Sequence, residues 1–497
     1  MSLDQFASVL PVILRIAELF PLQRWRVRFP NCRGSTGLTL RLAMHPLNFC
    51  GGARPVDQLV SIAYNNNQIK LRCFVLNTNC HLAQSAKTRM VGDNSAHHFF
   101  GYYNKTNFDR AGNRLLANRV QQFTGDIDGS ETAIVGYFDL TNNDKFHSLG
   151  ETTAWNWQMG CQLQWVGHKN QVIYNTRAAQ AERDTPYPDF SSTLVDLDSG
   201  ARRELPLPIY VVAPHGDYAL CVNYARFMVT HRTIGYPASH KEPPLALAPS
   251  DDGIYRMDIG SGEYSMIVSL DQLKNFDPVA SMDKAIHWVT HLEANPSGSR
   301  FLFIHRWTER VEDETCFLHR LFTVDGDGRN LKLLECTDHP LPQLDDNFDI
   351  NDVGTFDYEK SEYQISHPMW KSDSEIIVWG PHSGQIHYHL YNDETGDVQV
   401  IGHGILTENG HMSYSRDGRW ILSDTYPDSS TNERILFLFD TQTNRRHDLG
   451  SFFTPPDLGK HNRCDLHPRW SPDNEQISFD SVHDGCRQIY LISHSNG

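Results

Sequence analysis

Seven copies of one short phrase organise this chain: an apolar run, a turn rich in Pro, Gly, Asp or Ser, and a second apolar run, followed later by a strand–turn–strand pair. The clearest copies are residues 467–481 (HPRWSPDNEQISFDS), 411–425 (HMSYSRDGRWILSDT) and 291–305 (HLEANPSGSRFLFIH). Weaker copies occupy 367–380, 210–223, 162–175 and 107–118. An internal period constrains architecture more than any other sequence signal, because a repeat that cannot bury its apolar face alone must stack on its neighbours.

Each copy predicts four strands. The first two flank the turn and are rich in Val, Ile, Phe, Trp and Leu. The other two flank a second turn, as in 192–207, 253–268, 387–402 and 435–450, where DSG, GSG and NDETG supply the positive φ angles of tight hairpins. The seventh copy stops after its third strand, 487–493. A ring of such blades must close, and VSIAY (60–64) or KLRCFVL (70–76) is the expected donor of the missing strand. The chain therefore predicts an all-β fold, a seven-bladed β-propeller of four-stranded blades closed by an N-terminal strand. The propeller is expected over 59–497, with 1–58 a helix plus extended chain packed on it. Copies about 44 to 82 residues apart, the last one truncated, argue against a β-sandwich. The wide spacings reflect insertions at 230–250, inside blade three, and 337–362, between blades four and five.

Composition narrows the partners. A net charge of −16 argues against nucleic acid or an anionic membrane as general partners, though a local cationic wall can still admit an anionic small substrate. Ten scattered cysteines include no C-x-x-C pair, which fits a reduced, cytoplasmic chain as well as an exported one. The first 20 residues carry Asp4, Arg15 and Glu18, so they make a poor signal peptide; an amphipathic helix is expected there, a degenerate export signal being the alternative. No stretch reaches the roughly 18 uninterrupted apolar residues of a membrane helix.

Aligning the copies on their turns exposes a site. Four positions before the turn residues Asn295, Lys371, Ser415 and Ser471 stand His291, His367, His411 and His467. Gln162 takes that place in blade two, with Tyr210 one residue off in blade three. Histidine is 25 of 497 residues, so chance does not place it at four chosen positions in a row. The first strand of a blade is the innermost, so these side chains should ring one mouth of the channel. The second strand runs back to the same mouth and ends at Asn118, Asn175, Asn223, His305, Trp379, Asp424 and Asp480, a second and largely polar ring.

Converging neutral imidazoles suit a divalent metal, zinc or manganese. His291, His305, His367, His411 and His467 are the candidate ligands, with Asp465 or Asp424 to complete the set. Across the mouth, Lys105, Arg177, Arg226 and His231 are cationic, while His97, His98, Tyr102, Tyr103 and Tyr210 can titrate or donate. A metal facing cations describes a pocket for a carboxylated or sulfated ligand. A non-catalytic propeller binding a sugar or protein through the same mouth is the alternative, and a glycoside hydrolase would need a carboxylate pair such as Asp424 and Asp480.

With its seven repeats, GHMSYSRDGRWILSDTYPD (410–428) and RCDLHPRWSPDNEQISFDS (463–481), the chain resembles the propeller polysaccharide lyases, both the oligogalacturonide lyases and the short ulvan lyases, over the ring but not the first 90 residues. The resemblance implies β-elimination on a uronic acid within an acidic oligo- or polysaccharide. In oligogalacturonide lyases histidines and a glutamine hold a divalent metal against the substrate carboxylate; His411 and His467 match that pattern, while a Gln-x-x-His-x-His cluster reads Asn462-x-x-Asp465-x-His467 here. In the short ulvan lyases the zinc is structural, and His98, Tyr210 and Arg226 fall where catalytic residues would sit. There His291 and His305 match two zinc ligands, and Asn118 replaces a second catalytic histidine. Lys105, Asn175, Arg177 and Asn223 are the expected substrate contacts.

Overall fold

The computed structural model describes the strands of residues 24–28, 38–45, 58–65, 68–75 and 81–82, and then residues 87–493 except 179–183, 239–244, 310, 312–316 and 338–363. The chain divides into two compact units, Met1–Asn79 and Cys80–Gly497. In the first, Arg24–Arg28, Leu38–His45, Gln58–Asn65 and Gln68–Val75 pair as an antiparallel meander.

The second unit is the seven-bladed β-propeller that the repeats predict. Each blade is an antiparallel sheet of neighbours in sequence order, as in blade four: Ile286–Ala294, Arg300–Thr308, Leu318–Asp325 and Lys332–Thr337. First strands of successive blades touch one another, which makes them the innermost. The predicted hairpin glycines Gly200 and Gly396 turn at φ 73° and 79°, angles that a side chain would resist. Apolar faces close between blades: Leu422, Leu436 and Leu438 of blade six pack on Leu466, Ile477, Phe479 and Ile492 of blade seven. Burying each such side chain contributes about 1.5–3 kcal/mol, so adjacent blades hold one another in place.

Ring closure differs from the expectation in its donor. The seventh blade (Arg469–Trp470, Gln476–Ser481, Gln488–Ser493) is completed by Thr88–Met90 on its outer edge. The strands that hold these candidates, Gln58–Asn65 and Gln68–Val75, pair instead with each other, through Val60↔Cys73 and Ile62↔Leu71. Two residues separate their strands, and a local hairpin closes at far lower entropic cost than a contact across the whole ring. A further short strand, His81–Leu82, adds to the edge of blade six.

Between the second and third strands of blade three, helix α1 (Tyr224–Thr230) leads into the insertion expected at 230–250, which holds a single turn at Arg232–Ile234. The helix expected in residues 1–20 lies outside the described residues, as does 337–362 beyond Thr337. Among the described residues, no helix is long and apolar enough to cross a membrane.

Candidate metal centre

The four blade-aligned histidines converge. Ring centroids of His367 and His411 lie 4.1 Å apart, those of His411 and His467 4.3 Å, and those of His291 and His367 6.0 Å. All four residues are buried, at 2–5 % exposure. A backbone device aims three of them: His291, His367 and His467 adopt φ of 55°, 52° and 43°, and Gln162 of blade two shares it at 55°. Register shifts accompany it between Thr290 and Glu293 and between Ser366 and Met369. A bulged residue in the left-handed region leaves the strand's alternation and redirects its side chain, here toward the channel.

His411, Asp465 and His467 offer ligand atoms that all lie within 4.8 Å of one another. Asp424 orients this set: its Oδ1 accepts from the backbone N of His411 at 2.8 Å and lies 2.9 Å from that ring's Nδ1, while Oδ2 accepts from the backbone N of His467 at 3.1 Å. A carboxylate on Nδ1 leaves Nε2 as the bare donor, the usual outer-shell support of a metal-binding imidazole. Nε2 of both His411 and His467 is buried without a hydrogen-bond partner. Orphaned buried imidazole nitrogens are costly unless something else binds them, and a divalent cation fits these two together with Asp465.

Electrostatics favour the ligand forms. Burial, reinforced by neighbouring imidazoles and arginines, holds His291, His367 and His467 well below the ordinary histidine range, so they are neutral at neutral pH. Burial opposes charge on Asp465 too, but Arg463 and Arg434 overcome it and hold the carboxyl well below its usual range. Arg434 donates to its Oδ1 at 3.0 Å and Arg463 to its Oδ2 at 2.7 Å. Of the two carboxylates offered by the sequence, Asp465 therefore fits the candidate ligand set and Asp424 positions it.

A loop of blade one fills the centre of the ring. The Tyr102 hydroxyl hydrogen-bonds Nε2 of His291 at 2.8 Å, and its ring meets those of His367, His411 and His467 at centroid distances of 4.9–6.4 Å. Tyr103 packs on His367 and His411. Asp480 clamps the loop by accepting from the backbone N of Phe100 and Gly101 at 3.2 Å, and Arg469 donates both to Asp480 and to the carbonyl of Tyr102. At Gly101 a Cβ would stand 2.7 Å from the Met159 carbonyl carbon, so only glycine lets the loop enter.

The other predicted site residues disperse. His305 does not share a ligand set with His291: its Nε2 lies 2.9 Å from Nδ1 of His287, while His291 turns to Tyr102. The bulge at residues 291–292 rotates His291 off the strand face on which a regular spacing would have paired the two. His98 packs on Phe138 and Phe146, with Nδ1 3.1 Å from Gln488, in the seam between blades one and seven. Tyr210 does reach the cluster, but as support: its hydroxyl oxygen accepts from the backbone N of His291 at 2.9 Å. Arg226 is consumed by structure, donating to the carbonyls of His287, Ala246 and Leu247 and pairing with Asp252. Arg177 donates to Thr153 and to the Pro237 carbonyl.

Asn223 caps α1 by accepting from the backbone N of Arg226, and Asn175 both accepts from and donates to the backbone of Ile209. Lys105 lies over the Tyr210 ring and donates to Asn104, whose amide donates to Glu293. Burial lowers Lys105 and raises Glu293, each partly offset by the other's charge. Glu293 escaped the sequence reading, although its place two residues beyond His291 on an innermost strand was the available signal.

No protein-family model and no curated protein matches this chain. Solved structures do. The chain is similar to an oligogalacturonate lyase in complex with manganese, with a TM-score of 0.55 at 14 % identity, covering 84 % of this chain and 96 % of that one. An oligogalacturonate lyase from Vibrio parahaemolyticus matches with the same score, identity and coverage. TolB from Acinetobacter baumannii follows at a TM-score of 0.34 and 13 % identity, over 78 % of this chain and 81 % of that one. At such identities the two lyases establish a shared propeller fold, and the chemistry has to be argued from the histidine cluster itself.

Proposed function

We propose that this protein is a lyase that cleaves uronic-acid-containing oligosaccharides by β-elimination, assisted by a divalent metal, zinc or manganese. The observation that carries the proposal is the buried set His411, Asp465 and His467 with its two unpartnered Nε2 atoms. The names of the two similar structures, one of them holding manganese, point to the same chemistry. β-Elimination removes the C5 proton of the uronate and protonates the leaving O4, so it requires that the C5 carboxylate be neutralised and that protons be handed on and off nearby. A bound metal would supply the charge that neutralises the carboxylate.

The chain's own residues would do the rest. Asp424 fixes the His411 ring and the His467 backbone, and Arg434 with Arg463 keeps Asp465 ionised. Tyr102 and His291, joined at 2.8 Å, form the hydrogen-bonded pair nearest the ligand set that could hold and pass a proton. This pair replaces Tyr210 and His98, which the structure separates. Tyr102 and Tyr103 also exclude water from the cluster. Arg226 no longer serves as the carboxylate's partner, since its guanidinium is committed to backbone carbonyls and Asp252.

The test is spectroscopic. Purified protein supplied with Mn²⁺ or Zn²⁺ and incubated with oligogalacturonate, ulvan and glycosaminoglycan oligomers should generate the ultraviolet absorbance of an unsaturated uronate on at least one of them. No absorbance on any substrate, from protein shown by elemental analysis to carry metal, would refute the lyase. A chain purified without metal and binding none would remove its basis.

A further inference from the structure

The candidate ligand set is shut away from solvent. His411, Asp465 and His467 are each 2 % exposed, and the bare Nε2 atoms of both histidines are buried. Neither an ion nor a larger ligand can reach those atoms in this conformation, so some part of the chain must move to admit it. The blades are poorly suited to that movement, because their strands are laced into hydrogen-bonded ladders and packed on their neighbours. Phe100–Lys105 differs: it fills the centre of the ring and belongs to no strand.

The base and the tip of this loop are held differently. The backbone of the base is fixed on blades one and seven. Asn118 donates to the Phe100 carbonyl at 2.8 Å, Asp480 accepts from Phe100 and Gly101, and Arg469 donates to the carbonyls of Gly101 and Tyr102. The tip is held by single hydrogen bonds of its side chains. Tyr102 meets Nε2 of His291 at 2.8 Å, the Tyr103 hydroxyl donates to the Pro368 carbonyl at 3.3 Å, and Asn104 donates to Glu293 at 2.7 Å. These partners stand on the innermost strands of blades four and five, opposite blade one in the ring. Each such bond can be given up at modest cost without breaking any ladder.

We infer that Tyr102 and Tyr103 are a gate: swinging out on the fixed base they admit a metal ion to His411, Asp465 and His467, and in the position seen here they hold the site shut. The inference rests on the metal reading of that set but not on lyase activity, so binding kinetics test it. Cobalt(II) is the probe, because its visible absorbance reports its own coordination. Its uptake after mixing, and its release to excess EDTA, are followed by stopped flow on wild type, Tyr102→Phe and Tyr102→Ala.

Tyr102→Phe loses the bond to His291 and should speed uptake and release alike by about fivefold, the scale of one such hydrogen bond. Tyr102→Ala removes the ring as well and should quicken both further. The dissociation constant should stay the same, because a gate that closes over empty and loaded sites alike changes rates and not the equilibrium. Identical rates in all three proteins would overturn the gate. Faster release without faster uptake would also overturn it, since that pattern makes Tyr102 a support of the bound metal. Cobalt bound by Tyr102→Ala but not by wild type would uphold the gate as tightly closed, and cobalt bound by neither would sink the metal reading and the gate together. Gated binding without turnover on any uronate would uphold the gate and sink the lyase; if Tyr102→Ala does not fold, Tyr102→Phe decides alone.

Discussion

Two polar rings share one mouth of this propeller, and they do different work. The ring at the starts of the innermost strands, His291, His367, His411 and His467, collects its side chains around Tyr102, three of them (His291, His367 and His467) through a left-handed backbone. The ring at the ends of the second strands turns instead to backbone. Asn175 of blade two grips Ile209 of blade three, Asp424 of blade six grips His467 of blade seven, and Asp480 of blade seven grips Phe100 and Gly101 of blade one. The first ring gathers histidines, and these three members of the second fasten one blade to the next. A polar residue at a repeated position is thus no guide to function until its partner is known; backbone partners mark a fastener, whereas bare imidazole nitrogens converging beside a carboxylate suit a cation.

The contrast breaks most visibly at Asp480. Asp480→Ala should destabilise the protein by roughly 3–5 kcal/mol, because it leaves Arg469 buried and uncompensated and frees the loop that carries Tyr102. The denaturant midpoint reads this directly, and a loss below about 1 kcal/mol would show the fastening to be idle. On the histidine ring the expected effect is smaller and conditional on metal. Adding Mn²⁺ or Zn²⁺ at a hundred times its dissociation constant should stabilise the wild type by about 2.7 kcal/mol and His411→Ala not at all. Equal shifts in both proteins would place the metal elsewhere.

A third effect concerns pH and lies outside both rings. Burial is the largest influence on His98 and His287 and lowers each from 6.5 to about 4. Between those values the unfolded chain binds more protons than the folded one. Stability is therefore fully present above pH 6.5 and lost as pH falls toward 4, by up to roughly 1.4 kcal/mol per pH unit for each group. Denaturant titrations at several pH values should show this slope, reduced in His98→Gln. A flat profile would mean that both imidazoles stay accessible to protons in the folded state.

Much of this was legible in the residues. The repeat implied the seven blades, and aligning its copies singled out the four histidines that do converge. The pair Asp465 and Asp424 was visible as a choice, but not which joins the candidate set and which orients it. What escaped were contacts between distant segments. His305 and His98 sit at suggestive spacings, yet a bulge turns His291 from the first, and a seam between blades takes the second. Arg226 looked like a substrate cation because a sequence does not display the carbonyls of His287, Ala246 and Leu247 that occupy it.

By itself, then, the sequence determined the architecture and the axis of the site. Alternation, turn chemistry and repetition are local properties, and stacked copies must bring equivalent positions to one mouth. Only the tertiary structure decided which polar groups keep a free atom there. Arg226 and Arg232 lie six residues apart with the same chemistry in isolation, and packing alone consumed the first and left the second half exposed. Hydrogen-bond satisfaction belongs to the folded surroundings, because the cost of burying a polar group depends on partners that other parts of the chain provide.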